Sequence, residues 1–429
     1  MKKLAVLATA ALILLSFPWL AQGATKAITQ MPMTLLAALP PSDQTTGMVV
    51  RGKSIYLIGT ITGVASTDGS VKALDSTGTV QWSLPLDNGS NEIATAATVD
   101  SSGNIWVVGS AQTPSITPTP TPLPSATVSS TPTPSVSASP SVTPSQSPTV
   151  LNPDAITTDL VAPLRKDLTS LTLWKISPAG VLLASYSLEI GAPFLVRGVI
   201  FANNAIAIVG IISTASGHAG FLIQSDLNGS FTKPILIGKS DTEMNALVKK
   251  SDGSLVLVGS SSEIISKQSG KGIRDGVVVS VSQSGKISSV VRSSNIASTR
   301  SWQSATNSLF LGGDAISGKS EAVVTKFAST LVPTWTMRFA STGPALTSDS
   351  PTTHFLLFPS TGAISGIKGW KPSKVSALAL GLDSKGVLNG AYGAPAITTP
   401  MAIGFSRELG VVLLGRGPAG VSIFHALPR

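Results

Sequence analysis

A polar turn, four mostly apolar residues and a closing glycine recur along this chain. The pattern is clearest in DSSGNIWVVG (100–109) and returns as RGKSIYLIG (51–59), ANNAIAIVG (202–210), SDGSLVLVG (251–259), ATNSLFLGG (305–313) and ELGVVLLG (408–415). A weaker copy is STGAISGIKG at 360–369. Between these units lies a second hairpin of alternating residues around a turn. It reads SVKALDSTGTVQWSL at 70–84 and LTLWKISPAGVLLASYS at 171–187, with later copies at 220–237, 276–291, 321–339 and 375–391. Apolar runs this short have strand length and cannot make helices. The D-S-T-G, L-N-G and D-S-K-G pieces supply the left-handed backbone of tight hairpins.

The closing glycines 59, 109, 210, 259, 313, 369 and 415 are 50, 101, 49, 54, 56 and 46 residues apart. Two hairpins per period of about fifty residues means four strands per repeat, the signature of a β-propeller. One such unit has too little apolar surface to fold alone, so a closed ring must bury it. The fold expected is all-β, a seven-bladed propeller with four-stranded antiparallel blades. A pair of β-sandwiches is the alternative.

Two stretches, ATVDSSGNIWVVG (97–109) and VKALDSTGTVQWSL (71–84), resemble the bacterial SBBP-type β-propeller repeats, and the likeness extends more weakly over most of 46–426. The resemblance implies a secreted or surface protein, in a family mostly without assigned activity. It also implies that each DSSGN-type hairpin forms strands A and B, the innermost pair, and that the next hairpin forms C and D. The last blade then lacks a D strand. Residues 27–34 (AITQMPMT) precede the first A strand and are expected to supply it, Pro32 being tolerable in an outermost strand. The alternative is a loose leader over 24–45.

Composition adds a compartment. Residues 1–23 carry Lys2 and Lys3, an uncharged run from Leu4 to Leu20, Pro18 and the small-residue ending Ala21-Gln22-Gly23, which reads as a cleaved signal peptide. Its removal lowers the formal charge from +9 to +7, the two lysines being its only charges. Charged residues are only 12% of the chain and cysteine is absent, which excludes disulfides, thiolate metal sites and thiol nucleophiles. The propeller is expected over 24–429, interrupted at 111–168 by a Pro/Ser/Thr-rich insertion that falls between strands B and C of blade 2. That insertion reads as a disordered spacer or a glycan-bearing arm.

Chemistry is sparse. His218, His354 and His425 form no zinc spacing, and neither a G-x-S-x-G elbow nor a calcium loop of EF-hand type is present. No catalytic residue, metal or cofactor is expected. Asn88 and Asn228 head formal glycosylation acceptors but read as hairpin turns. In propeller topology the D–A and B–C connections share one face, and residues at the start of the A strands ring its channel mouth. Glu92, Arg197, Glu243, Trp302 and His354 are the candidate ligand-binding ring there. Arg51, Lys53, Lys249, Lys250 and Arg407 fall in the A–B turns and form a candidate polyanion-binding face. The function expected is a secreted, monomeric, non-enzymatic binding or scaffold module at the cell surface. Its partner would be an anionic envelope polymer, a glycan or a surface protein; nucleic acid and a membrane span after cleavage are not expected. The alternative is a hydrolase or lyase acting on polysaccharide at the channel mouth.

Overall fold

Turn chemistry sets the strand boundaries. Asp75, Asp226 and Asp383 each accept backbone N–H groups two and four residues on, while Gly78, Gly229 and Gly386 take φ of +82°, +84° and +83°. These D-x-x-G turns close the C–D hairpins of blades 1, 3 and 6. The structure, a computed structural model, describes residues 27–41, 43–62, 66–113 and 164–427. The expected signal peptide and the body of the Pro-rich tract lie outside the described residues.

Among the described residues there are strands and no helix, arranged as seven blades. Blade 1 is Gln44–Arg51, Ser54–Thr62, Thr67–Leu74 and Val80–Leu86; blade 2 is Glu92–Val99, Ile105–Gln112, Leu168–Ile176 and Leu182–Glu189. Blade 3 is Phe194–Ala202, Ala205–Thr214, Gly217–Asp226 and Ile235–Ile237; blade 4 is Thr242–Lys249, Leu255–Ser261, Asp275–Val281 and Ile287–Ser293. Blade 5 is Thr299–Ala305, Phe310–Ser317, Lys319–Phe327 and Pro333–Ala340; blade 6 is Leu346–Asp349, His354–Ser360, Ser376–Leu382 and Leu388–Ala394. Blade 7 has Thr399–Ser406, Gly410–Gly417 and Gly420–Ala426. Each A strand touches the A strands of both neighbouring blades, and that of blade 7 touches that of blade 1, so the A strands form the inner ring. Residues 113–167 join strand B to strand C in blade 2.

The core lies between blades, not within them. Each of the seven seams has its own cluster of buried side chains drawn from two adjoining blades. The seam between blades 7 and 1, for example, joins Leu414 and Ile423 to Ile55 and Leu57.

One device explains the repeated closing glycine. In six A strands an extra residue bulges: Thr46, Thr95, Arg197, Asn245, Gln303 and Met401. The residue just before each bulge pairs with Gly59, Gly109, Gly210, Gly259, Gly313 or Gly415. The bulge bends the A strand over that position, so a Cβ there would sit 1.8 Å from the Ile93 carbonyl oxygen at Gly109 and 1.9 Å from that of Glu243 at Gly259. Blade 6 departs from the pattern. Its B strand is His354–Ser360, with Pro359 in the glycine's place, and 360–369 is not an A–B hairpin but part of the B–C connection. The A strand of this blade has only four residues and no bulge; the segment that crosses Pro359 is Ser341–Gly343, and it places a glycine, Gly343, against the proline ring.

The N-terminal segment completes blade 7, but from a later register than expected. Thr34–Ala38 pairs antiparallel with Gly420–Ala426, from Thr34 opposite His425 to Ala38 opposite Ser422. The residues ahead of it serve blade 6 instead. Met31–Pro32 lies parallel and outermost against Tyr392–Gly393, and Ile28–Thr29 against Ile367–Lys368. Pro32 sits on an outermost strand, where its missing N–H costs no ladder bond.

Candidate functional site

The B–C and D–A connections gather polar residues where blades 3 and 4 meet. Glu243 is the second residue of strand A of blade 4, Asp241 ends the link before it, His218 is the second residue of strand C of blade 3, and Arg274 ends the B–C connection of blade 4. Arg274 bonds Asp241 and reaches Glu243 Oε1 at 3.1 Å. His218 Nε2 lies 3.4 Å from Asp241 and 3.5 Å from Glu243. Burial pushes Asp241 up, but hydrogen bonds from Ser262 and Arg274, and the charge of Arg274, hold its carboxyl below the ordinary aspartate range.

Arg197, the bulged residue of blade 3, is a further cation near this group. Burial draws its pKa down and the charge of Glu243 partly restores it. Among the described residues no carboxylate comes within 4.0 Å of its guanidinium, and its buried Nε has no hydrogen-bond partner. Asp314, on strand B of blade 5, is pushed up to about 6 by burial and by the charge of Glu243.

The cluster rests on a rigid platform. Glu263 accepts hydrogen bonds from three successive backbone N–H groups, of Lys239, Ser240 and Asp241, at 2.9, 2.9 and 2.7 Å, and from Thr242 Oγ1 at 2.8 Å. Burial raises Glu263, but these donors outweigh it and bring it down to about 2. Asp275, fully buried, pairs with Arg292 at 3.3 Å and accepts the N–H groups of Lys271 and Gly272. The connection that carries Arg274 is thereby pinned at both ends.

Of the five residues expected to ring the mouth, Arg197 and Glu243 come together. Glu92 lies apart, at the seam of blades 1 and 2, buried and pushed up to about 7 by burial against hydrogen bonds from Ser90 and Asn88. Trp302 does not face the mouth. It is the residue before the bulge of blade 5, fully buried over Gly276 of blade 4 and edge-on to Phe327 at 6.0 Å. His354 is on the opposite face, because it opens strand B and not strand A. Its Nδ1 lies 2.7 Å from Asp349 and 3.4 Å from Ser308 Oγ. Both partners share one ring nitrogen, whereas a hydrolytic relay needs the acid and the nucleophile on opposite nitrogens. Asn88 falls in the D–A link between blades 1 and 2, and Asn228 in a C–D turn.

Arg51, Lys53, Lys249, Lys250 and Arg407 all sit at the A–B turns of that opposite face. They alternate there with turn-capping acids: Lys250 pairs with Asp252 at 3.3 Å, and Asp75, Asp100, Asp226 and Asp383 occupy neighbouring turns.

No protein-family model matches the chain, and no curated protein matches it in sequence. Solved structures match across nearly its whole length. The β-propeller domain of the Trilobed protease from Pyrococcus furiosus is 8% identical, covering 91% of this chain and 97% of that one with a TM-score of 0.48. A structure described as YCF48 bound to D1 peptide is 12% identical, covering 95% and 99% at a TM-score of 0.47. A protein of unknown function from Bacteroides caccae is 9% identical, covering 79% and 93% at 0.38. The seven-bladed propeller implied by the SBBP-type resemblance is present, while no family model supports that particular repeat family.

Proposed function

We propose that this propeller is a secreted, non-enzymatic binding module that holds an anionic group of a cell-surface partner at the mouth formed by the B–C and D–A connections. Arg197 carries the reading. A partly buried guanidinium with an unpartnered Nε and no carboxylate within ion-pair distance has given up hydration without local repayment. A ligand carboxylate or phosphate offers the planar, bidentate partner that guanidinium geometry favours. Asp241, Glu243, His218 and Arg274 frame that position, and the pinned connection of blade 4 keeps the frame preorganised.

Burial of Trp302 removes the one aromatic platform among the five expected mouth residues, which favours a charged ligand over a neutral sugar. The alternating charges of the A–B turns make the opposite face a poorer polyanion surface than its basic residues alone suggested. Among the described residues no helix is long and apolar enough to cross a membrane.

The test compares retention of the protein on cells of its source with that of Arg197→Ala and of a Lys249→Glu/Lys250→Glu control. We expect R197A to be released into the medium, the control to stay bound, and moderate salt to release the wild type. Retention of R197A with loss of the control would move the binding surface to the A–B turns and overturn the proposal.

A further inference from the structure

Three carboxylates meet at the seam of blades 1 and 2. Asp68 lies on strand C of blade 1, Asp87 in the link that follows strand D, and Glu92 opens strand A of blade 2. One oxygen from each lies within 4.8 Å of the others. We propose that Asp68, Asp87 and Glu92 bind a divalent cation of calcium size.

The spacing fits the ion. Calcium–oxygen distances of about 2.3–2.6 Å put two ligands on opposite sides of the ion at most about 5 Å apart, so oxygens within 4.8 Å can share one ion. Magnesium demands a near-ideal octahedron at about 2.0–2.1 Å and gives up its waters reluctantly, so a site offering three carboxylates suits calcium better.

Each carboxylate commits one oxygen to a local donor. Ser66 Oγ donates to Asp68 Oδ1 at 2.8 Å, Gly89 N to Asp87 Oδ1 at 2.6 Å, and Ser90 Oγ and Asn88 N to Glu92 Oε1 at 2.9 and 3.2 Å. These bonds orient the groups and leave each a second oxygen.

Independently of the clustering, Glu92 is 0% exposed and its Oε2 has no hydrogen-bond partner. Among the described residues no lysine, arginine or histidine comes within 4.0 Å of any of the three acids. A fully buried carboxylate oxygen beside two further acids must take up a proton or gain a positive partner; the surrounding side chains supply no such partner, and a cation would fill that role. A bound cation would tie strand C of blade 1 to strand A of blade 2. It would do so next to Gln112, where strand B of blade 2 gives way to the long connection; Gln112 is itself held by Asn91 and Ser90.

The experiment titrates the EDTA-treated full-length protein with calcium chloride by calorimetry and follows Tm in parallel, with magnesium chloride for comparison. Calcium should bind one-to-one, raise Tm, and do so at lower concentration than magnesium. Asp87 is exposed, so Asp87→Asn should fold normally and weaken calcium binding at least tenfold; Glu92→Gln should abolish it. Asp75→Asn, on the opposite face, should bind like the wild type. Absence of heat and of any Tm change up to millimolar calcium would overturn the proposal. So would calcium binding that D87N leaves unchanged, which keeps the test decisive even if E92Q fails to fold.

Discussion

At the residue scale, the closing glycines are the positions least tolerant of change, and their intolerance is graded. A Cβ at Gly109 would meet the Ile93 carbonyl oxygen at 1.8 Å, at Gly59 the Gln44 carbonyl oxygen at 2.6 Å, and at Gly52 nothing within 4 Å although its φ is +56°. Backbone cannot swing aside as a flexible side chain can, because the A strand is hydrogen-bonded to strand B on both sides of the bulge. Gly109→Ala should therefore cost about 3 kcal/mol, Gly59→Ala less, and Gly52→Ala only the left-handed penalty of about 1 kcal/mol. Urea unfolding of the three variants checks this; equal losses would mean that the bulge does not dictate the glycine. The same scale shows what could be read in the sequence about the site. Arg197 and Glu243 were accessible because position along an A strand fixes which end of the blade they occupy. Trp302 was misjudged because a one-residue bulge changes the parity of the strand, which no alternation pattern records. Asp241, Arg274 and Glu263 had no signal at all: they lie in connections, where chain direction is not fixed by periodicity. Asp68 and Asp87 are far from any recognised calcium loop, and only the pairing of blades brings them to Glu92.

At the scale of elements, the strands and their order were legible because most B strands open with a buried apolar run, such as Ile105–Val108. Blade 6 escaped the pattern because its glycine is a proline and its A strand is short. The closing strand was foreseen but placed seven residues early, since a five-residue segment such as Thr34–Ala38, apolar after its first residue, carries no alternation by which to fix register. The observed register separates two contributions of the N-terminal segment. Deletion through residue 33 removes only the parallel additions to blade 6, together with Met33, whose N–H donates to Gly393 O at 2.9 Å. Deletion through residue 38 also removes the fourth strand of blade 7 with Leu36 and Ala37, which pack on the seam between blades 7 and 1. The longer deletion should cost about 3 kcal/mol more, a further drop in Tm of roughly 5 °C. Equal melting temperatures for the two deletions would show that ring closure does not depend on Thr34–Ala38.

At the scale of the whole molecule, the distribution of the core decides how the ring comes apart. Every buried cluster spans two blades, and all seven seams carry at least one, which leaves no blade with a core of its own. Losing any blade exposes two seams at once, so partly unfolded rings are penalised and the propeller should melt in one transition, unlike an open array of repeats that frays from its ends. Leu414, in the seam between blades 7 and 1, and Leu257, in the seam between blades 3 and 4, are both fully buried, so Leu→Ala should cost about 2–5 kcal/mol at either position. Because the ring is a single cooperative unit, each variant should shift the entire calorimetric peak, with the van't Hoff enthalpy still equal to the calorimetric one. The seam between blades 7 and 1 is where the two ends of the chain meet and is held by a strand from outside the repeat pattern, which makes it the natural opening point. A low-temperature shoulder appearing only in Leu414→Ala would show that the ring opens at that seam before it unfolds, and the single-transition expectation would then fail.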